Sequence, residues 1–555
     1  MNKTINIIFA LSFMSLFFVA CNDDLLEEEP KSFLSPGTTY NTDAGLAAGG
    51  VGLFDEISSV YFNYALMRDY MALANGGTDF MRNGIEPEPS AGEAVALTNS
   101  YSPSFSDNVL TDLWSHYYRL ANNATTILES STAHEWENQS LQETTEGEAY
   151  FFRGWAHLWL TMLWGDVPSV RESVNGVKTD FVQEPQADVI QYAIEDFQAA
   201  VSFLPEEISE QGRLDKAAAN HMLAYAYLCA KDYPSAEAAA QSAVDSPNHS
   251  LVTQRFGSKV DKSNGNPFWD LFQLDNHNNN PEGLWVLQNG NGDVTPAYTP
   301  AENGGPAVRF VRIFQSRIEL VSGLKAGPEY GGRGFTRFAP TMPYFEIFEP
   351  NDQRGQMPNL QKRFIAIEEG NINNQPVNLG DLIFDFDNPQ AGIITDRTDM
   401  RLRPYPTKWL KENDPNDSTK YNSNEVGYTG GTIRDHYILR LAETYLILAE
   451  AQYMQGNQAE AAANINLIRE RSGASPISAG DVTIDFILDE KARELWGEQY
   501  SRKVDLFRTG KYIERVQKYN SEAGSNVKEK HTLLPIPQSE IDLNSGNELQ
   551  QNPGW

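Results

Sequence analysis

Acids, arginines and aromatic rings are the residues of this sequence that can do chemistry; histidine and cysteine are scarce, at 8 and 2 of 555 residues. His134-Glu135 lacks the second histidine one turn on that a zinc-hydrolase helix requires. Without clustered histidines or thiols there is no zinc spacing. No Gly-x-Ser-x-Gly elbow presents a serine nucleophile. Gly290-Asn291-Gly292 lacks the third glycine and the strand–helix setting of a dinucleotide loop. Asp385-Phe386-Asp387-Asn388 begins like a calcium loop but has neither its glycine nor its closing glutamate. No metal and no cofactor is therefore expected. Glu494, Glu498, Arg493 and Arg502 are acid–base types, but their spacing suits ion pairs along a helix. Paired carboxylates are too frequent in so acidic a chain for spacing to single out a glycosidase pair, and no catalytic residue is expected.

Binding is the better-supported chemistry. The chain holds 28 Phe, 24 Tyr and 10 Trp. The C–H faces of sugar rings are apolar and stack on aromatic faces, while planar Asn, Asp and Arg groups match sugar hydroxyls. Three places offer both. The first is the loop Thr78 to Asn83, with Phe80, Arg82 and Asn83. The second runs from Phe268-Trp269 to Trp285 around Asn276 to Asn280; Trp269 is its candidate contact, whereas Trp285, inside Leu284-Trp285-Val286-Leu287, reads as core. The third is Tyr330-Gly331-Gly332-Arg333-Gly334-Phe335, where glycine lets the backbone bend; Tyr330, Arg333 and Phe335 are its candidates. A formal charge of −32 repels nucleic acid and anionic headgroups, so no nucleic-acid partner is expected.

These residues need elements to hold them. Lys3, an apolar run from Ile5 to Ala20 and the small residue before Cys21 have the outline of a secretory signal. The run falls short of the roughly 20 residues of a membrane span. Cys21 directly after the cut is the position that bacterial lipoproteins acylate, so 1–20 reads as signal and 21–41 as a lipidated, acidic tether. From 42 to 250 the apolar residues recur at helical spacing. Helices are expected within Thr42 to Tyr70 and over Asp112 to Glu129, Glu146 to Leu163 and Asp188 to Leu204. The pair Lys216 to Ala230 and Ser235 to Val244 has the small-residue spacings of a tetratricopeptide unit. Cys229, in an apolar run of that pair, reads as inert core. Leu448, Ala449, Ala461 and Ile468 repeat the pattern in 432–555. Such units bury their faces only by stacking, so the C-terminal helices must pack back on the N-terminal ones. Between them, 251–431 is rich in Gly, Asn and Pro. Short strands are expected at Gly283 to Gln288 and Phe335 to Ala339, and a helical turn at Phe345 to Phe348. A stretch this long without regular period is usually functional. The fold class is mainly α: tetratricopeptide-type repeats carrying a long irregular insert with short strands.

Several stretches resemble one known family. They are Glu148-Ala149 to Leu163 with Gly165-Asp166-Val167-Pro168; Arg440 to Ala451; Glu490 to Glu498 with Arg502 to Lys511; and the tail Leu534 to Asp542 with Gln551-Asn552-Pro553-Gly554-Trp555. Together they resemble the SusD/RagB family of outer-membrane nutrient-uptake lipoproteins. The resemblance implies a SusD-like fold and a cell-surface, lipid-anchored protein in the outer membrane. It also implies a SusC-like TonB-dependent barrel transporter as partner, over which the protein sits as a lid, its repeat side facing the barrel. The ligand implied is an oligosaccharide, and the chain itself performs no chemistry. The alternatives are the same role with oligopeptide cargo, and a surface glycoside hydrolase.

Mass spectrometry of the mature protein is expected to find Cys21 as an acylated first residue, with the protein in the membrane fraction. An unmodified Cys21 on protein recovered only in solution would contradict the lipoprotein reading.

Overall fold

The apolar period of the sequence is realised, among the described residues, as fifteen α-helices and ten short strands. The computed structural model describes residues 39–62, 64–84, 108–208, 210–273, 275–288, 313–325, 334–409, 435–498 and 502–555. The signal, most of the tether and Cys21 lie outside them.

The helical base begins with α1 (Asp43–Phe62), α2 (Tyr64–Ala74), α3 (Asn108–Ala133) and α4 (Gln139–Trp164). It continues with α5 (Gln186–Phe203), α6 (Lys216–Ala230) and α7 (Tyr233–Val244). Local chemistry sets the boundaries. Asp215 caps α6 by accepting from the Ala218 N–H, and Lys231 ends it in the left-handed region at φ 62°. Asp232 caps α7, with proline in its first turn. Ala218, Ala219, Ala224, Ala226, Ala236 and Ala240 are all buried, which lets neighbouring helices approach closely. Each of α3 to α7 packs on the next. The chain then leaves the stack and returns as α10 (Leu441–Met454), which lies directly on α7. α11 (Gln458–Arg471) and α12 (Ile484–Leu495) pack on α10 in turn. Cys229 is buried here, and burial pushes its thiol up to about 12.

The excursion carries α8 (Pro267–Leu271), α9 (Met342–Glu346) and two-stranded antiparallel ribbons. β1 (Met81–Asn83) pairs with β3 (Phe338–Pro340), and β2 (Gly283–Leu287) with β10 (His436–Arg440). Around a second core of Phe364, Phe384, Phe386 and Tyr405, three further ribbons form: β4 (Leu360–Gln361) with β9 (Tyr405–Pro406), β5 (Arg363–Ile365) with β8 (Leu382–Asp385), and β6 (Gly370–Ile372) with β7 (Gln375–Val377). Trp285 of β2 is the plug between insert and base. Phe151, Phe152 and Trp155 of α4 meet its ring edge-on at 5.8, 5.7 and 5.7 Å. The C-terminal segment, with α13 (Arg502–Arg508), α14 (Tyr512–Tyr519) and α15 (Gln538–Leu543), ends by closing the last turn of α4. The Leu534 N–H donates to the Leu163 carbonyl at 2.8 Å. Asn552 donates to that of Trp164 at 2.8 Å.

Buried charge joins insert to base. Glu490 and Glu494 of α12, followed by Glu498, face arginines from three other segments. Arg354 meets Glu490 at 2.8 Å and Glu494 at 3.2 Å. Arg440 meets Glu494 at 3.0 Å, Glu498 at 2.7 Å and Glu282 at 2.6 Å. Arg471 meets Glu494 at 2.5 Å and Glu282 at 3.0 Å. Lys408 donates to Glu498. Glu494 and Glu498 are the two glutamates the sequence offered as acid types and assigned to helical pairing; Glu282 and Glu490 join them only in the fold. Of the pairs α12 makes within itself, Arg493–Glu490 at 2.6 Å is an i,i+3 contact, and the rest of its partners come from elsewhere.

Removing one member of such a set strands a buried charge, at about 3–5 kcal/mol. Arg440→Met, which keeps much of the volume, is expected to lose that much in denaturant unfolding. Burial alone would raise the Glu490 carboxyl, but Arg354, Arg493 and Arg469 outweigh it and hold it down at about 2, against an ordinary 4.5. A carboxylate depressed in the folded state stabilises fully above its unfolded value and stops doing so as pH falls through its folded one. The stability gap between wild type and Glu490→Gln is therefore expected to be constant above about pH 5 and to shrink between pH 4.5 and about 2.

Candidate ligand-binding surface

Two of the three sequence-named places come together through one ribbon. In β1–β3, Arg82 opposes Ala339 and Asn83 opposes Phe338. The Gly84 N–H extends the ladder, donating to the Arg337 carbonyl at 2.9 Å. On the other side the Thr336 and Arg337 N–H groups donate to the Gln315 and Ile313 carbonyls at 2.9 and 2.8 Å. Three segments thus run side by side. Their approach is close enough to exclude side chains at two glycines. A Cβ on Gly84 would stand 1.5 Å from the Thr336 carbonyl oxygen, and one on Gly334 1.9 Å from that of Gln315.

The ribbon rests on buried charge. Asp79, one residue before Phe80, accepts from Arg502 at 2.8 Å and from Arg515 at 2.8 Å. Burial raises the Asp79 carboxyl, but these two guanidinium groups outweigh it and leave it below the ordinary value. Asn520 donates to the Thr78 and Met81 carbonyls at 2.7 and 3.1 Å. Phe80 is 2 % exposed; its ring lies 5.2 Å from Tyr519 and 6.0 Å from Tyr344.

Arg82 is a quarter exposed, with its Nε 3.3 Å from Glu522 and donating to the Asn83 carbonyl at 3.2 Å. Phe335, half-buried, lies between two guanidinium groups, Arg337 at 4.9 Å and Arg317 at 5.9 Å from its ring. Arg317 also meets Glu319 at 2.9 Å. Behind them Arg403 is buried against Met342 and Met400. Arg317, Arg337 and Arg403 are buried and Arg82 is partly exposed, so arginines cluster near one half-buried aromatic ring in a strongly acidic chain.

Arg82, Asn83 and Phe335 are therefore brought together, Asn83 being buried within the ribbon. Tyr330 and Arg333 lie outside the described residues. Trp269 is elsewhere, in α8, 7 % exposed and covered by the Arg255 guanidinium at 6.0 Å. Phe80 and Trp269 thus move from the expected contacts into the framework, because both are buried, whereas Phe335 is only half-buried. Sequence reasoning missed Arg317, Arg337 and Arg403. The available signal was the run of cations Arg397, Arg401, Arg403 and the Arg333-Gly-Phe-Thr-Arg337 spacing in a chain short of positive charge.

A glycosidase general acid has a raised pKa. Glu494 and Glu498 are instead held below the ordinary value: burial raises them, and arginine neighbours outweigh it. Glu443 is pushed up to about 7 by burial, but it sits between α6 and α10, 3.6 Å from His221. A separate cavity of about 410 Å³ opens between α3 and the C-terminal segment, walled by Trp114, Tyr118, Phe181 and Leu543. None of the sequence-named ligand residues lines it. Among the described residues no group of three or more His, Cys, Asp or Glu side chains is arranged to hold a metal ion.

Comparison with known proteins places this architecture. The profile of the SusD family matches residues 392–555, and one described as "Starch-binding associating with outer membrane" matches residues 59–228. SusD-like protein P25 of Formosa agariphila is 24% identical over 560 residues, covering 94% of each chain. Among solved structures, a laminarin binding SusD-like protein superposes with a TM-score of 0.68 at 18% identity, over 93% of this chain and 100% of its own. Surface glycan-binding protein A from Bacteroides thetaiotaomicron, in complex with laminarihexaose, gives a TM-score of 0.68 at 17% identity, over 92% and 99%.

Gly84→Ala is expected to force β1 away from the 336 carbonyl and lower stability by about 1–3 kcal/mol, as overpacking does. Thermal unfolding of the variant measures it; Gly52→Ala, at a helical glycine with open space around it and no positive φ, controls for the substitution.

Proposed function

The chain belongs to the SusD family, and from that membership we propose that it captures oligosaccharides at the cell surface for a SusC-like TonB-dependent transporter. On this reading it is a lid over the barrel, held in the outer membrane by the lipid on Cys21, and does no chemistry. The observation that carries the reading is the half-buried Phe335 ring, flanked by Arg317 and Arg337, on the segment that leads into the β1–β3 ribbon bearing Arg82. It pairs an aromatic face with planar hydrogen-bond donors, the two things a sugar ring takes up. Similar structures with laminarin or laminarihexaose in their names and a family description that includes starch binding and the outer membrane support it. The proposed contacts are Arg82 and Phe335, joined by Tyr330 and Arg333 from the adjoining segment; Asn83, buried in the ribbon, belongs with the framework.

Each stacking or hydrogen-bonding residue in such a groove contributes on the order of 1 kcal/mol. Phe335→Ala and Arg82→Ala are each expected to weaken oligosaccharide binding about fivefold in calorimetry on the full-length protein against a glycan panel. Binding to peptide pools with none to any glycan would replace this reading with the peptide-import one. Failure of a barrel transporter to co-purify from native membranes would remove the lid role.

A further inference from the structure

We infer that the oligosaccharide taken at this surface is anionic, with a carboxylate or sulfate group seated against Arg82, Arg397 and Arg403. The inference rests on the glycan-capture reading and adds the charge class of the cargo.

Arg403 is the observation that carries it. Its side chain is 2 % exposed. Arg354, Arg440, Arg469 and Arg515 are buried as deeply, and each holds a carboxylate: Asp352 at 2.8 Å, Glu282 at 2.6 Å, Glu490 at 3.0 Å and Asp79 at 2.8 Å. The Arg403 guanidinium instead contacts sulfur. Its Nε and Nη2 lie 3.3 and 3.2 Å from the Met400 thioether, and its Nη1 reaches that of Met342. A thioether is a weak acceptor, and a guanidinium has five donors and a fixed charge. A buried cation without an anion is costly unless something supplies one.

The neighbourhood makes the deficit larger. Burial, then Arg82 and Arg397, push the Arg403 guanidinium down to about 10 from an ordinary 12.5, while Asp396 and Asp399 oppose them. Asp399 is engaged by Arg401 at 2.6 Å; Asp396 accepts from the Thr398 hydroxyl at 2.7 Å and makes no direct ion pair with Arg403. Glu522 meets Arg82 through one 3.3 Å contact at a partly exposed position. The exposed Arg397 guanidinium lies 4.2 Å over the Phe386 ring rather than on a carboxylate, so Arg82, Arg397 and Arg403 share too few anions. A carboxylate or sulfate matches guanidinium geometry and forms the stronger, charge-assisted hydrogen bonds. The −32 charge of the chain does not prevent this, because at physiological salt charges beyond about 8 Å are largely screened.

The test is calorimetry on the full-length protein at two salt concentrations with four probes: a galacturonate oligosaccharide, a sulfated galactan oligosaccharide, laminarihexaose and an acidic peptide. The expected result is that an acidic glycan binds at least tenfold more tightly than laminarihexaose and weakens with salt; which acidic glycan wins tells carboxylate from sulfate. Arg82→Gln and Arg397→Gln, both at solvent-accessible positions, are expected to cost that glycan at least tenfold while leaving the melting temperature unchanged. Arg403→Met is the more severe variant, and the two accessible ones stand if it fails to fold. Laminarihexaose binding as well as or better than both acidic glycans overturns the anionic inference and leaves glycan capture intact. So does acidic-glycan affinity unmoved by Arg82→Gln and Arg397→Gln. Binding to no glycan, or to the acidic peptide alone, overturns both.

Discussion

Glu494 is shared by arginines from three places that are far apart in the chain, and the placement of the insert on its helical base depends on that sharing. Arg354 comes from the insert, Arg440 from the strand that ends it and Arg471 from the helix before α12. Apolar packing alone does not fix such a junction, because hydrophobic contact is non-directional. Ion pairs in a water-excluded interior are directional and intolerant of a missing partner. Around them lie Glu282, Glu490, Glu498 and Lys408, all buried, so several contacts hold each charge. The fold uses α12 as a charged spine, with apolar helices on one side and the irregular lobe on the other.

The same device recurs beneath the candidate surface. Asp79, held by Arg502 and Arg515, anchors the stretch that leads into β1, and Asn520 secures the carbonyls on either side of it. Ordering therefore runs from the C-terminal helices to the loop, then to the ribbon, then to Phe335 and Arg82. A binding surface built from loops gains its precision from such a foundation. The contrast lies in where anions are supplied. Beneath the ribbon every named arginine has its carboxylate; at Arg403 sulfur takes that place.

The helical base was legible in the sequence because its signals are local. α6 begins and ends where the apolar run and its flanking Asp215 and Lys231 put it, and Trp285 reads as core from its apolar neighbours. The helices from α3 to α5 run somewhat longer than their apolar periods, since polar end turns add length without adding to the stripe. The surface was less legible. Phe80, next to Arg82, has the composition of a contact, and only its tertiary neighbours Tyr519 and Tyr344 show that its faces are taken. Trp269 is buried in α8 in the same way. The arginine cluster draws on Arg82, Arg397 and Arg403, and no window of sequence contains them together. Helical spacing explained Arg493 with Glu490 but gave no sign of partners from positions 282, 354, 408 and 440.

The end of α4 is finished by residues 534 and 552, which supply the donors for the Leu163 and Trp164 carbonyls. Helix C-termini leave such carbonyls open until something meets them. In a polypeptide that emerges from its N-terminus, α4 and its tryptophans therefore wait for nearly four hundred further residues before their last turn is closed. Vectorial synthesis makes that delay a property of the fold. The last turn of α4 is completed only once the final stretch of the chain is present.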